Sequence, residues 1–262
     1  MIIAMSKKDK QKSHGFTLLE MLITLVIASI VLLGSTTIVS TSADARHRVS
    51  NIRKLQEEAT LLSQLFQHQF SQIAYRSVDS TLVDSLQLPV QHQNLVFPAV
   101  PGEWDAGQVI KADATSVTFR HSGASTVTGD ADGTIYSCLG DAVTEDDIVE
   151  TRFFLIDRQL GCTVGNDTLS VSGSTAASGI EEILIEIGVD NDGDRSIDEI
   201  MLATDATDDD FANTALLRVR LLLSSEDRAI KFNQNFSFGG IDRTSDDFRI
   251  YKEVVIASAI RN

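Results

Sequence analysis

The sequence predicts an α+β protein in which a long N-terminal helix, membrane-spanning in its first half, packs on an antiparallel β-sheet domain. Two observations predict this class. Residues 16–88 contain no proline, and apolar residues in the middle of this stretch recur every three or four positions, as on one face of a helix. After residue 76 the pattern changes to short runs rich in β-branched residues, separated by loops rich in Gly, Ser, Thr and Asp, which is typical of strands and turns.

The first half of the helix, residues 16–43, has the length and composition of a membrane span. No charged residue occurs from Met21 to Ala43, which is 23 residues, or about 34 Å of helix, enough to cross the hydrocarbon core of a bilayer. Residues 1–15 carry four lysines against one aspartate, whereas the whole chain has a formal charge of −15. This asymmetry predicts a cytoplasmic N-terminus and a single pass through the inner membrane.

Glu20 is the one acid near the start of the apolar run. A carboxylate inside a membrane costs about 2.5–3.5 kcal/mol on insertion scales, so it is expected to have a partner or a function. Two ordinary interpretations compete here: a secretory signal peptide cleaved at Ala43-Asp44-Ala45, and a plain signal anchor in which Glu20 is incidental. The run is longer than the roughly 7–15 apolar residues of a signal peptide and opens with an acid, which disfavours the first.

Residues 44–76 predict the amphipathic second half of the same helix. The opposite face is rich in arginine and glutamate, so one side is expected to pack on the globular domain and the other to face solvent. The apolar stripe on the packing face consists of Val49, Ile52, Leu55, Ala59, Leu62, Phe66, Gln69 and Ile73. Gln69 is its one polar member.

Residues 77–262 predict a β-rich globular domain whose strands form an antiparallel sheet against the helix. The candidate strands are 117–120, 151–156, 183–189, 197–202, 216–223 and 250–260. The intervening segments predicted as loops are 122–134, 163–179, 203–214 and 233–247.

The string from Lys12 to Glu20, Lys-Ser-His-Gly-Phe-Thr-Leu-Leu-Glu, resembles the prepilin motif of type IV pilins and type II secretion pseudopilins. The resemblance implies that residues 1–15 are a leader, which a prepilin peptidase removes by cutting between Gly15 and Phe16. It implies that Phe16 is then N-methylated. It also implies that Glu20 pairs with the free amine of a neighbouring subunit's Phe16, which would offset the burial of the acid and set the stagger between subunits.

A second resemblance concerns the globular domain. The strand and acidic turn of Ile187–Asp194 with Asp198, the strand Leu217–Ser224 and the ending Val254–Asn262 resemble PilW-type minor pilins. This resemblance implies a minor pilin that helps to prime type IV pilus assembly, near the filament tip, with minor and major pilins and a tip adhesin as partners. The alternative is a pseudopilin of a type II secretion system, whose N-terminal chemistry is the same.

Two further sites are predicted in the globular domain. Cys138 and Cys162 follow the membrane run, so they lie on its oxidising side and are expected to form a disulfide. Asp190, Asp192, Asp194 and Asp198 occupy relative positions 1, 3, 5 and 9, the spacing with which calcium loops present oxygens. Without a cation, repulsion among these carboxylates is expected to strain the turn or protonate it in part.

Several features weaken the calcium prediction and leave an alternative open. Arg195 stands where a calcium loop has glycine, and Leu202 stands where a bidentate glutamate would close the coordination sphere. Glu199 or the run Asp208-Asp209-Asp210 could supply the missing oxygens. The alternative is a solvated acidic hairpin turn, because Asp, Asn and Gly are ordinary turn residues.

Composition and motifs disfavour two other classes of function. The five histidines are scattered, without an HExxH pair, and neither CxxC nor GxSxG occurs, so an enzyme is not expected. The charge of −15 disfavours direct binding of nucleic acid, because neutralising phosphates requires basic side chains.

Overall fold

The computed structural model describes residues 17–76, 97–165, 167–170, 178–194 and 196–260. The predicted cleavage site, Gly15 and Phe16, lies outside these residues. The chain divides into two compact units, Met1–His47 and Arg48–Asn262. The globular core belongs to the second unit.

Helix α1 runs without interruption over Leu18–Phe70, 53 residues. The prediction that it continues to residue 76 is wrong. After Phe70, the Gln72 and Ile73 N–H groups each donate to the carbonyl three residues earlier, which tightens the final turn. Ala74 then adopts a left-handed φ of 61° and its N–H donates to the Arg120 carbonyl at 3.1 Å, so the chain turns toward the sheet.

Eleven strands form three antiparallel sheets in the described residues, where a single sheet was expected. The strands are β1 Ile110–Ala112, β2 Ser116–Ser122, β3 Ile148–Ile156, β4 Gln159–Val164, β5 Asp167–Ser170, β6 Ser178–Val189, β7 Glu199–Leu202, β8 Thr214–Ser225, β9 Gln234–Phe238, β10 Ile241–Ser245 and β11 Tyr251–Ala259. Their orders in the three sheets are β1-β2-β3-β4-β5, β10-β9 and β11-β8-β6-β7. All six predicted strands are present, as β2, β3, β6, β7, β8 and β11.

Three of the segments predicted as loops contain regular structure. The segment 163–179 contains β5 and the start of β6, and 203–214 contains the short helix α2, Asp208–Ala212. Thr207 caps α2 in a complete capping box with Asp210, a signal present in the sequence as Thr-x-x-Asp.

The segment 233–247 forms the β9–β10 hairpin. Gly239 and Gly240 have φ of 59° and 80°, as a two-residue type I′ connection requires. The predicted loop therefore contains a tight turn between two strands.

The fold class is confirmed: one face of α1 shares a single core with both larger sheets. Leu55, Leu62 and Phe66 are at most 2% exposed and lie in one cluster with strand residues of both sheets. The Phe66 ring lies 5.0 Å from Phe70 and 4.9 Å from the Phe153 ring of β3. Gln69, the polar member of the stripe, is also buried. Val49 is not part of the core, because it is 64% exposed.

Candidate functional site

The first turn of α1 carries its own N-terminal cap. The Glu20 N–H donates to the Thr17 hydroxyl at 3.3 Å and to the Thr17 carbonyl at 3.1 Å. Thr17 thus satisfies one of the N–H groups that a helix start leaves without a partner. The spacing Thr-x-x-Glu is that of a capping box, a signal that our interpretation of the sequence missed because it considered Glu20 only as a membrane-embedded acid.

Glu20 lies in the first turn of α1 and is exposed, next to the exposed apolar residues Leu18 and Leu19. A carboxylate is favourable at this position, because the helix dipole places partial positive charge at the N-terminus. The structure therefore gives Glu20 one local source of stabilisation within its own helix.

The apolar part of α1 presents a continuous hydrophobic surface. From Leu18 to Val39 its large apolar side chains are between 52% and 81% exposed. Its most apolar 18 residues have a mean hydropathy of 2.4, and α1 is the described helix that is long and apolar enough to cross a membrane. Exposure of so much apolar surface predicts burial in lipid or against other helices.

The hydroxyl groups in this part of α1 are satisfied within the helix itself. Those of Thr24, Ser29 and Thr37, for example, donate to carbonyls three or four residues earlier at 2.8–3.0 Å. Ser35, Thr36, Ser40 and Thr41 do the same. Such bonds let polar side chains reside in hydrocarbon without a water partner. The segment Gly34–Thr37 is helical throughout.

The acidic turn between β6 and β7 brings three of the four predicted calcium ligands together. One carboxylate oxygen each of Asp190, Asp192 and Asp194 lies within 4.8 Å of the others. Asp198, the fourth predicted ligand, is not in this group; its Oδ2 accepts the Asn191 N–H at 2.8 Å.

Hydrogen bonds within the turn occupy the same carboxylates. Asp190 Oδ1 accepts the Gly193 N–H at 2.8 Å, and Asp192 Oδ1 accepts the Asp194 N–H at 3.1 Å. The hydroxyl and N–H of Ser196 hold the pKa of Asp194 below its ordinary value, which is opposite to the expected partial protonation. These bonds stabilise the turn locally, and binding of calcium stays a prediction.

Asp210, one of the other acids suggested as an oxygen donor, caps α2. Asp210 accepts from the Thr207 N–H at 2.8 Å and hydroxyl at 2.7 Å, so the cap of α2 uses its carboxylate. Helix α2 does contact the acidic turn through the backbone, because the Asp190 N–H donates to the Asn213 carbonyl at 3.0 Å.

The predicted disulfide between Cys138 and Cys162 is present, with the two Cα atoms 6.5 Å apart. Cys162 lies on β4 and is fully buried, and Cys138 lies in the loop between β2 and β3 and is 9% exposed. The bond joins this loop to the core.

The sequence pattern did not predict two buried basic side chains on β2, His121 and Arg120. Burial lowers the pKa of His121 from 6.5 to about 4, and its Nε2 lies 3.3 Å from the Thr151 hydroxyl of β3. Arg120, 2% exposed, donates to the Pro98 carbonyl and lies 5.2 Å from the centre of the Trp104 ring. Both residues are enclosed by protein, which is typical of structural groups rather than of solvent-accessible catalytic ones.

Comparisons with known proteins support the interpretation of the N-terminal part of the chain as a prepilin motif followed by a helix. A prokaryotic N-terminal methylation motif matches residues 10–36. A search of curated proteins gave no match. Among solved structures, a type IV-like pilin from Thermus thermophilus is similar at 11% identity with a TM-score of 0.43, covering 79% of this chain and 95% of that one. The methylation motif and the apolar helix support a type IV pilin-like, membrane-anchored protein.

Proposed function

We propose that the chain is a minor pilin of the PilW type, which a prepilin peptidase processes between Gly15 and Phe16 and which then joins a type IV pilus. The observation that carries this proposal is the methylation motif over residues 10–36. The motif leads directly into the uninterrupted helix α1. The finer assignment rests on the acidic turn, on β8 and on β11, whose sequences resemble PilW-type proteins.

Helix α1 provides surfaces for both stages of this function. Its exposed apolar residues, Leu18 to Val39, hold the precursor in the inner membrane. The same surface can pack against the helices of neighbouring subunits once the protein leaves the bilayer, because either environment removes it from water. The hydroxyls that bond within α1 suit both environments.

Glu20 gives the assembly its register. The Thr17 cap and the helix dipole offset part of the cost of burying the carboxylate. The amine of a neighbouring subunit's Phe16, freed by processing, offsets more and favours one axial stagger between subunits. Low-copy subunits of this kind prime assembly, near the tip, together with other minor pilins, major pilins and a tip adhesin.

The globular unit serves as a structural and interaction module rather than as an enzyme. Its buried basic side chains, His121 and Arg120, are enclosed in the core. The described acids of the turn bond to their own backbone. These arrangements stabilise the fold and leave surface strands and loops for contacts between subunits.

A pseudopilin of a type II secretion system is the second candidate, because the methylation motif is shared by both classes. Deletion of the gene distinguishes them. A minor pilin predicts loss of surface pili and of twitching with normal secretion, restored by the wild-type gene. Normal piliation with loss of exoprotein secretion would instead support the pseudopilin.

A further inference from the structure

Strand β11 lies at one edge of the four-stranded sheet, and half of its backbone groups point away from that sheet. Its register with β8 is regular from Tyr251 to Ala259. The Ser225 N–H donates to the Ile250 carbonyl and the Ile260 N–H to the Ala215 carbonyl, both at 2.8 Å. Because bonding to the partner strand alternates along an antiparallel ladder, even-numbered residues of β11 bond to β8 and odd-numbered residues face outward.

The first outward position is already occupied by a side-chain amide. The Tyr251 N–H donates to Gln234 Oε1 at 2.8 Å, and Gln234 Nε2 donates to the Tyr251 carbonyl at 3.1 Å. This carboxamide makes the two bonds that a residue of an adjoining strand would make. It therefore confirms which groups face outward, and it shows that β9 covers the start of this edge.

The later outward positions, Val255, Ala257 and Ala259, form an open edge. No hydrogen bond joins the outward N–H and C=O groups of Val255 and Ala257, or the Ala259 N–H, to any other residue in the described ranges. The Ala259 carbonyl accepts the Ser258 hydroxyl at 3.4 Å. Val255 is 49% exposed, and the two alanines are also exposed. Proteins usually protect an edge strand with a charged residue, a proline or a β-bulge. Residues 254–260 contain no charge and no proline, and the ladder there has no bulge.

The opposite edge of the same sheet is protected, so openness is not a general property of this sheet. Strand β7 has only four residues, and it begins with Glu199 directly after the acidic turn. The Leu202 carbonyl at its end accepts the Asp205 N–H at 3.0 Å. Short length and flanking charge both discourage pairing with another chain.

A groove of about 350 Å³ lies between α1 and the start of β11. Thr60, Ser63 and Gln67 of the helix line it together with Lys252, Glu253 and Val254 of the strand, so it ends before the open positions Val255 and Ala257.

We propose that the edge Val255–Ala259 accepts an extended segment of a different filament subunit as a fifth strand of this sheet. That the partner is a filament subunit rests on the proposed function. The segment must have free N–H groups at alternate positions and few acidic residues, because this chain carries a formal charge of −15.

A second copy of this chain fits the edge less well. Two copies repel each other through their net charge.

Hydrogen–deuterium exchange of the full chain tests the proposal. Peptides that cover residues 255–259 should exchange fast at the three outward amides in detergent, and at least about tenfold more slowly in native filament or membrane fractions. The inward amides of Ile256 and Ser258 provide the internal reference. Fast exchange in every fraction would overturn the proposal, and so would slow exchange in detergent, since the edge would then be covered by its own chain. Absence of the chain from filaments would contradict the proposed function, whereas slow exchange in membranes would still support strand addition.

Matched proline variants sharpen the test. Ala257→Pro removes an outward N–H and leaves the bonds to β8 intact, as edge positions tolerate. Ile200→Pro on β7 is the matched control. The Ala203 N–H donates to the Ile185 carbonyl, so odd-numbered residues of β7 bond to β6 and the Ile200 N–H, which the proline removes, faces outward. We expect A257P alone to abolish the slow exchange and to lower recovery in filaments at least about tenfold. Equal recovery of both variants would overturn the proposal, as would a dimer of this chain that A257P dissociates. The exchange comparison on the wild-type chain decides the matter if the prolines impair folding.

Discussion

Replacing Phe66 with alanine should strongly destabilise the globular unit, because Phe66 connects α1 to the sheets. Its side chain is 0% exposed, and its ring lies 5.0 Å from Phe70 and 4.9 Å from Phe153. Truncating a buried phenylalanine costs about 3–5 kcal/mol. The surrounding rings are held by a helix and a strand and cannot close the cavity, so we expect the upper half of that range. For a domain with a total stability of about 5–15 kcal/mol, this is a large loss.

Urea unfolding of residues 48–262 measures this loss. The single tryptophan, Trp104, is 5% exposed and so reports unfolding by fluorescence. Leu61→Ala is the matched control on the same helix, since Leu61 is 62% exposed and should change the free energy of unfolding by less than about 0.5 kcal/mol. A Phe66→Ala loss no larger than that of the control would refute the shared core of helix and sheets.

Four further predictions concern the membrane segment, pH, the disulfide and the acidic turn. Glu20→Gln should leave processing intact but reduce incorporation into filaments, measured by immunoblot of sheared pili; normal incorporation would remove the register argument. Because burial lowers the pKa of His121 from 6.5 to about 4, the unfolded chain binds its proton first. Stability should therefore be fully present above pH 6.5 and should fall by about 3 kcal/mol by pH 4; a His121→Asn variant with the same slope in urea titrations would contradict this. Replacing Cys138 and Cys162 with serine should remove about 3–4 kcal/mol of stability, and equal urea midpoints with and without reductant in the wild type would argue against it. Millimolar calcium should raise the Tm of the globular unit and Asp192→Ala should abolish the rise; a Tm indifferent to calcium and chelator would leave only a hydrogen-bonded turn.

Local periodicity in the sequence predicted the long helix, its buried face and six strands. The stripe through Leu55, Leu62 and Phe66 is an intrinsic property of a helix that packs on one side, so it needs no knowledge of the partner sheets. Val49 continues the same stripe but lies outside the core. The period of a helix does not indicate how far along it the globular unit extends.

The missed features depend on turn chemistry or on distant partners. The β9–β10 hairpin was hidden because its strands alternate polar residues with Phe236 and Phe238 within a polar segment; the Gly239-Gly240 pair was the available signal. The burial of His121 follows from its position opposite β3, where Thr151 is 30 residues away in sequence. Sheet register over such distances is set by the whole fold rather than by neighbouring residues.

The open edge of β11 also combines a feature that local sequence predicts with one that only the whole fold determines. The sequence predicted a strand at 250–260, but it contained no information on which side of that strand would be paired. That property follows from the strand order, in which β11 is the terminal strand and pairs with β8, and from the Gln234 amide that bonds to the Tyr251 backbone.

If the chain is a prepilin, it is processed on the cytoplasmic side of the membrane before its helix assembles. Mass spectrometry of the N-terminal peptide of the mature protein, purified from membranes or filaments, measures this processing. We expect a chain that begins at Phe16 and carries one methyl group on its amine. A mature chain that begins near Arg46, or one that retains residues 1–15, would contradict the assignment as a prepilin.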